Sequence, residues 1–149
     1  RIARQYVTNY TDIFELALPR LYDGMCRWGS EEWAAVSAYL GVLSAHPDTH
    51  IERKHGTSLA QDVAIRAKHL DERLLGEQAA PQSLTGPLMQ FDSELKQQGI
   101  NPGTSADLTV AALAVKRLQD LVNGIGQLPY RGRGAFVGCC SSAFSLTAT

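Results

Sequence analysis

The sequence has few cysteines, almost no excess charge and no long apolar run. Its three cysteines, of which Cys139 and Cys140 are adjacent, are too few for a disulfide framework, so we expect a reducing, cytoplasmic environment. Fourteen Lys and Arg residues against fifteen Asp and Glu residues leave a net charge of −1. The longest apolar runs, such as Val110–Val115, are far shorter than the roughly 20 residues of a membrane helix. We therefore expect neither a nucleic-acid partner nor a membrane partner, because no strong positive field attracts either one.

Several common sequence patterns are also missing. No apolar–polar alternation indicates a strand, and no Walker-type loop, dinucleotide fingerprint or nucleophile elbow is present. Apolar residues make up 44% of the chain and recur at helical spacing almost throughout. With 149 residues, the chain has the length of one ordinary domain. We therefore predict an all-α fold, a multi-helix bundle.

Local start and stop signals predict where the helices lie. Thr11 is expected to cap the first apolar stripe, and Pro19 to kink or break that helix. Ser30 is expected to cap the next helix, which the sequence from His46 to Asp48 should end. Three further helices are predicted, from residue 57 or 58 to 75, from 88 to 98, and from 104 or 105 to about 122.

The two ends of the chain differ in character from its middle. The first residues, Arg1–Val7, read as an amphipathic helix with no cap before it, so we expect a fragment of a larger helical domain. Glycine, arginine and cysteine dominate after Gly124, which predicts a flexible tail over 125–149 following a helical domain over 1–124. Partner helices missing from such a fragment would leave apolar surface exposed, so the chain could form a homo-oligomer.

The first polar segment, Asp48–Gly56, lies between two long predicted helices. In a helical turn over 49–55, His50 shares one face with Arg53 and Lys54, a set of positive groups suited to phosphate. His50 or His55 could move a proton near neutral pH. A solvated, charged connector is the plainer interpretation. Zinc is disfavoured, because no third ligand stands at a standard spacing and an Arg-Lys pair intervenes.

The second polar segment, Ile100–Leu108, contains a sharp turn followed by a helix start. Thr104 or Ser105 is expected to cap the helix, and Asp107 falls in its first turn, where the helix dipole favours a carboxylate. The same helix start could bind an anion, and Asp107 could hold Mg²⁺ that is bound to phosphates. The residues leave the structural and the functional interpretation open.

Three isolated residues are expected to have structural roles only. Trp28 and Trp33 flank a helix start and are expected to pack against the core. Cys26 lies in an apolar stretch and is expected to be a small buried side chain.

Together the two polar segments resemble the triphosphoribosyl-dephospho-CoA synthase family. The resemblance rests on DTHIERKHG at 48–56 and GINPGTSADLTVA at 99–111, and extends to Asp12–Glu15, so it covers about residues 1–122. It implies an all-helical transferase that joins the triphosphoribosyl group of ATP to the ribose 2′-hydroxyl of 3′-dephospho-CoA and releases adenine. A second possible function is that of related ATP-using pentosyl transferases linked to tetrahydromethanopterin-dependent one-carbon metabolism. A third is that of a non-enzymatic helical interaction domain.

The chemistry implied by the resemblance gives each polar residue an expected role. Proton transfer is expected of His50, His55 or Asp48, and Mg²⁺ binding of Asp107 or Asp48. The remaining candidates are expected to bind phosphate or sugar, and they are Arg53, Lys54, Asn101, Gly103, Thr104 and Ser105.

Overall fold

The computed structural model describes residues 2–76 and 81–125, and within these ranges it is helical with no strand, which confirms the all-α prediction. A π-helical segment, Asp12–Ala17, precedes the second α-helix, and a short 3-10 helix, Pro81–Leu84, precedes the sixth. The α-helices of the described ranges are α1 (Ile2–Val7), α2 (Leu18–Trp28), α3 (Glu31–Ala45), α4 (Thr49–His55), α5 (Thr57–Gly76), α6 (Thr85–Gln97) and α7 (Gly103–Ile125).

Helix α3 lies at the centre of the bundle. Its sequence is apolar on nearly every side, as is typical of a helix surrounded by protein. One side packs against α5 and α6 through Leu40 and Leu43, and the other packs against α2, the π-helical segment and α7. Ser30 caps its first turn by accepting a hydrogen bond from the amide of Trp33, which confirms the prediction for this helix start.

Two glycines let long elements approach each other. A Cβ atom on Gly24 would lie 2.6 Å from Ala34 Cα, so α2 and α3 contact at a distance that only glycine permits. Gly41 instead lies beneath the side chain of Arg20. Arg20 passes across α3 at this glycine and forms a two-pronged ion pair with the buried carboxylate of Asp71 on α5, at 2.8 and 2.9 Å.

The π-helical segment contains a buried polar pair. Gln5 Nε2 donates to Asp12 Oδ2 at 2.7 Å, and both side chains are buried. The turn between them places Asn9 and Tyr10 at positive φ, a conformation that costs a tyrosine energy. Pro19 is the second residue of α2, and the backbone stays helical at Ala17 and Leu18, so the chain passes from π-helical to α-helical geometry here without the predicted break into two helices.

Several predicted helix ends need correction. Thr11 does not cap a helix, because its backbone is already helical and its hydroxyl donates back to the carbonyl of Thr8. Helix α6 begins at Thr85 rather than at 88, with Pro87 in its first turn. Helix α7 extends to Ile125, one residue into the predicted tail, and the rest of that tail lies outside the described residues.

Several large apolar side chains of α7 are exposed on the surface. Val110, Leu118, Leu121 and Val122 are each more than 60% exposed, with values of 63%, 62%, 62% and 67%. Self-association through such a surface stays a prediction. Within the described ranges, no helix is both long and apolar enough to cross a membrane.

The packing prediction for the two tryptophans is confirmed, whereas the burial prediction for Cys26 is not. Trp28 and Trp33 pack against the core, as expected. Cys26 is exposed rather than buried, because it lies on the outer face of α2, so that prediction was wrong.

Candidate functional site

The first polar segment is a helix because Asp48 caps it. Asp48 Oδ1 accepts hydrogen bonds from the amides of His50 at 2.8 Å and Ile51 at 3.4 Å, which are otherwise unpaired at a helix start. Ile51 is fully buried in the core and anchors the helix. Gly56 then ends α4 with a φ of 93°, a backbone conformation that favours glycine.

The same carboxylate also holds the start of α7. Asp48 Oδ2 accepts hydrogen bonds from the backbone amide and from the hydroxyl of Ser105, both at 2.7 Å. Asp48 and Ser105 are fully buried. The predicted cap of this helix by Thr104 or Ser105 is therefore wrong, since α7 begins at Gly103 and its first turn is satisfied by a carboxylate 57 residues away.

Above this buried link, α4 and the start of α7 bring polar groups together. Thr49 and Thr104 hydroxyls lie 3.1 Å apart and share a hydrogen bond. His50 Nδ1 lies 3.5 Å from Arg53 Nη2, as expected for residues three apart on a helix. A Cβ atom on Gly103 would lie 3.8 Å from the His50 ring and 3.9 Å from Asn101 Nδ2, so His50, Asn101 and Gly103 are neighbours.

We call this set the α4–α7 junction. Its members are Asp48, Thr49, His50, Arg53, Asn101, Gly103, Thr104 and Ser105. Asp48, Thr104 and Ser105 are buried, whereas Arg53 and Asn101 are exposed. The junction therefore has an accessible cationic and amide surface above a buried carboxylate whose two oxygens are already hydrogen-bonded.

The other predicted site residues lie around the junction. Lys54 is exposed and lies four residues after His50, which places it on nearly the same side of α4. His55 is exposed at the end of α4, and five helical residues rotate it by about 140° from His50, so the structure does not bring the two imidazoles together. Asp107 is exposed, one turn beyond Gly103 on α7.

An apolar groove of about 680 Å³ opens beside the junction, between α3, α6 and the turn before α7. Asn101 and Pro102 line the groove as well as flanking the junction, so the two are continuous. Most of the lining is apolar or aromatic, and Asp92 and Lys96 form an ion pair at 2.6 Å within it. A cavity of this size is typical of small-molecule sites.

Tyr39 lines the same groove and has an altered pKa. Burial is the main cause, and the negative charges of Asp48 and Asp92 add to it, so that the pKa of the phenol is raised to about 12. The Tyr39 side chain is therefore a neutral hydroxyl at physiological pH.

Sequence reasoning missed the groove and part of the junction. Tyr39 comes from α3 and Phe91 from α6, and nothing in their local sequence distinguishes them from other core residues. Thr49 was also missed, although it follows the cap residue and precedes His50, and its contact with Thr104 depends on how α4 meets α7.

The match to a family model decides the family. The model of the CitG family, ATP:dephospho-CoA triphosphoribosyl transferase, matches residues 1–125. The chain belongs to this family. CitG is a transferase family, and the match confirms the resemblance seen in the two polar segments that form the junction. Neither a curated protein nor a solved structure matches the chain.

Proposed function

We propose that this CitG-family chain transfers the triphosphoribosyl group of ATP to the ribose 2′-hydroxyl of 3′-dephospho-CoA, with the triphosphate bound at the α4–α7 junction. The family match supports the reaction class, and the junction supports the location. The observation that carries the location is the contact between the two family-like segments, which are about fifty residues apart in sequence. Asp48 of the first segment accepts two hydrogen bonds from Ser105 of the second.

Phosphate binding is assigned to the accessible cations of α4. Arg53 and Lys54 are exposed, and neither forms an ion pair with a carboxylate in the part of the chain that the structure describes. A guanidinium can donate two parallel hydrogen bonds to phosphate oxygens, and an ammonium adds a point charge. The half-buried Gly103 adds open backbone beside them.

The transfer needs a group that takes a proton from the acceptor. In the proposed reaction, the acceptor 2′-oxygen forms a bond to C1′ of the ATP ribose while the bond from C1′ to adenine breaks. The bonding electrons leave with adenine, and the hydroxyl proton passes to a base. We assign this base to His50, because it is the imidazole that faces Gly103 and Asn101, whereas His55 lies on another side of α4.

Asp48 is assigned a positioning role. Both of its oxygens accept hydrogen bonds from α4 and α7 and the residue is fully buried, so it holds the two helix starts in place. It could bind a metal only by giving up those donors.

Magnesium fits the junction only together with phosphate. No group of three or more acidic, histidine or cysteine side chains within residues 2–76 and 81–125 is arranged to hold a metal ion. Mg²⁺ is nevertheless commonly bound by one carboxylate plus substrate phosphates, and the exposed Asp107 is such a carboxylate one turn from Gly103. We propose Asp107 as its protein ligand, where the ion would neutralise triphosphate charge.

Thermal unfolding with and without ATP·Mg²⁺ tests the location of the phosphates. At about 100 times Kd, a ligand adds about 2.7 kcal/mol of stability, or about 5–10 °C for a chain of this size. The double charge reversal Arg53→Glu/Lys54→Glu should remove this shift and lower the melting temperature of the unliganded protein only slightly, because both exposed side chains lie in the last turn of α4, where the helix dipole favours cations. The matched control is Lys68→Glu/Arg73→Glu, which reverses two exposed charges on α5 and should keep the shift.

An assay of adenine release with 3′-dephospho-CoA then tests the reaction. His50→Gln should lower the rate of adenine release while leaving the ATP-dependent thermal shift in place. Equal ATP shifts in the wild type and in Arg53→Glu/Lys54→Glu would contradict the phosphate location. Adenine release that depends on a different acceptor would contradict the assignment of 3′-dephospho-CoA, and the absence of any nucleotide effect would favour a helical interaction domain.

A further inference from the structure

The proposed reaction gives the apolar groove no role, although the groove adjoins the α4–α7 junction. Its walls come from α3 and α6, and include the aromatic rings of Tyr39 and Phe91 together with Leu88 and Met89. Its polar groups are few, and Asn101, at the end nearest the junction, is one of them. A ligand that filled the groove and continued into the junction would therefore be flat or apolar at one end and anionic at the other.

We infer that the apolar groove binds the adenine base of the nucleotide whose phosphates bind at the α4–α7 junction. This inference rests on the proposed function for the phosphate end of the ligand. It assigns the base end to Asn101 and to residues of α3 and α6 that neither polar segment contains.

The chemistry of the lining favours a base over the pantetheine arm of the acceptor, and the continuity of the groove with the proposed phosphate site assigns that base to ATP rather than to the adenine that 3′-dephospho-CoA also carries. A purine has two apolar faces that pack against aromatic and aliphatic side chains, and its polar atoms lie only at the edge. Pantetheine carries amides along its length, which need hydrogen-bonding partners when buried. The groove places its polar side chains, Asp92, Lys96 and Asn101, among a mainly apolar lining, which matches the purine.

Asn101 is the residue expected to read the base. A side-chain amide presents one acceptor and two donors, and it can pair with the amino group and a ring nitrogen of adenine. Because Asn101 lies between groove and junction, the base would meet this amide where the ligand crosses from one to the other. Inosine lacks the amino group and should therefore bind more weakly than adenosine.

Calorimetric titration of the full chain with adenosine, tripolyphosphate and ATP separates the two ends of the ligand. Met89→Trp enlarges a side chain that lines the groove and is 60% exposed, so the larger ring can occupy the groove without disturbing the core. It should weaken adenosine and ATP at least tenfold and leave tripolyphosphate within twofold. The matched control is Leu118→Trp on α7, a residue 62% exposed and outside the groove, which should leave all three ligands within twofold.

The charge reversal Arg53→Glu/Lys54→Glu should give the opposite pattern, with tripolyphosphate and ATP weakened and adenosine unchanged. Asn101→Ala should abolish the preference for adenosine over inosine, which gives a second test independent of Met89.

The outcomes distinguish the groove from the phosphate site. Tripolyphosphate that binds through Arg53 and Lys54 while adenosine does not bind would overturn the groove assignment and leave the proposed function intact. Adenosine that binds and is lost in Met89→Trp while tripolyphosphate fails to bind would support the groove and overturn the phosphate site. Pantetheine that binds and is lost in Met89→Trp, with adenosine unaffected by that variant, would overturn the assignment of the base, and so would a Met89→Trp variant that weakens 3′-dephospho-CoA but not ATP.

Discussion

Replacing Asp48 by alanine should disconnect α4 from α7. The substitution removes the acceptor of three short hydrogen bonds, from the amide of His50 at 2.8 Å and from the amide and hydroxyl of Ser105 at 2.7 Å. It also removes a longer one from Ile51 at 3.4 Å. Asp48 and Ser105 are fully buried, so water reaches the orphaned donors of Ser105 only if the helices separate, whereas the amide of His50 is only partly buried.

The expected loss is large for a single substitution. A hydrogen bond to a charged group contributes about 1.5–3 kcal/mol, so three of them set an upper range of about 4.5–9 kcal/mol. The observed loss should be smaller, because the mutant no longer buries a carboxylate and the helix starts can relax toward water. We expect a fall of about 4 kcal/mol in the free energy of unfolding, against a typical total of about 5–15 kcal/mol for a domain.

The variants Asp48→Asn and Ser105→Ala separate the contribution of the α4 cap from that of the hydrogen bonds to Ser105. Asp48→Asn keeps one acceptor oxygen, which can still cap α4, but it turns an NH₂ group toward the amide of Ser105, so we expect a loss of about 2 kcal/mol. Ser105→Ala removes only the hydroxyl donor and should cost about 1 kcal/mol. A double-mutant cycle between Asp48→Ala and Ser105→Ala should show a coupling energy of about 1 kcal/mol.

Chemical denaturation at neutral pH, read by circular dichroism, measures each free energy. Asp62→Ala is the matched control, because Asp62 is exposed on α5 and its removal should change stability by less than about 0.5 kcal/mol. A loss below about 1 kcal/mol for Asp48→Ala would refute the argument that this carboxylate joins the helices. Wild-type stability in Asp48→Asn together with lost adenine release would instead indicate a direct catalytic role for Asp48.

Two further predictions concern packing and alkaline stability. Gly24→Ala should lower the free energy of unfolding by about 1–3 kcal/mol despite the better helix propensity of alanine, because its Cβ would lie 2.6 Å from Ala34 Cα. Gly86→Ala in α6, where a Cβ meets no atom within 4 Å, should be neutral or stabilising in the same denaturation assay, and equal effects at both glycines would contradict this reasoning. Burial raises the pKa of Tyr39 to about 12 from 10.0, so the folded state holds its proton more tightly than the unfolded state, and about 2–3 kcal/mol of stability present below pH 10 should be lost as the pH rises from 10 to 12. Denaturation of Tyr39→Phe over that range should show a correspondingly smaller loss, and an unchanged alkaline slope would assign the loss to other groups.

The fold class and much of the local structure could be predicted from the residues alone. Helical periodicity predicts the all-α architecture, because the spacing of apolar residues follows directly from the helix repeat. The cap at Ser30 was also predictable, since it depends only on neighbours within one turn of helix. The two polar segments carried the family resemblance, which the family model confirms.

Tertiary structure alone decided how those segments meet. Local rules assigned the start of α7 to Thr104 or Ser105, but the acceptor is Asp48, which arrives from 57 residues away because Ile51 and Leu108 anchor α4 and α7 in the core. The groove likewise depends on how α3, α6 and the turn at Asn101 pack together. Hydrogen bonds within one turn are encoded by adjacent residues, whereas contacts between distant segments depend on the burial of apolar faces that only the complete fold brings together.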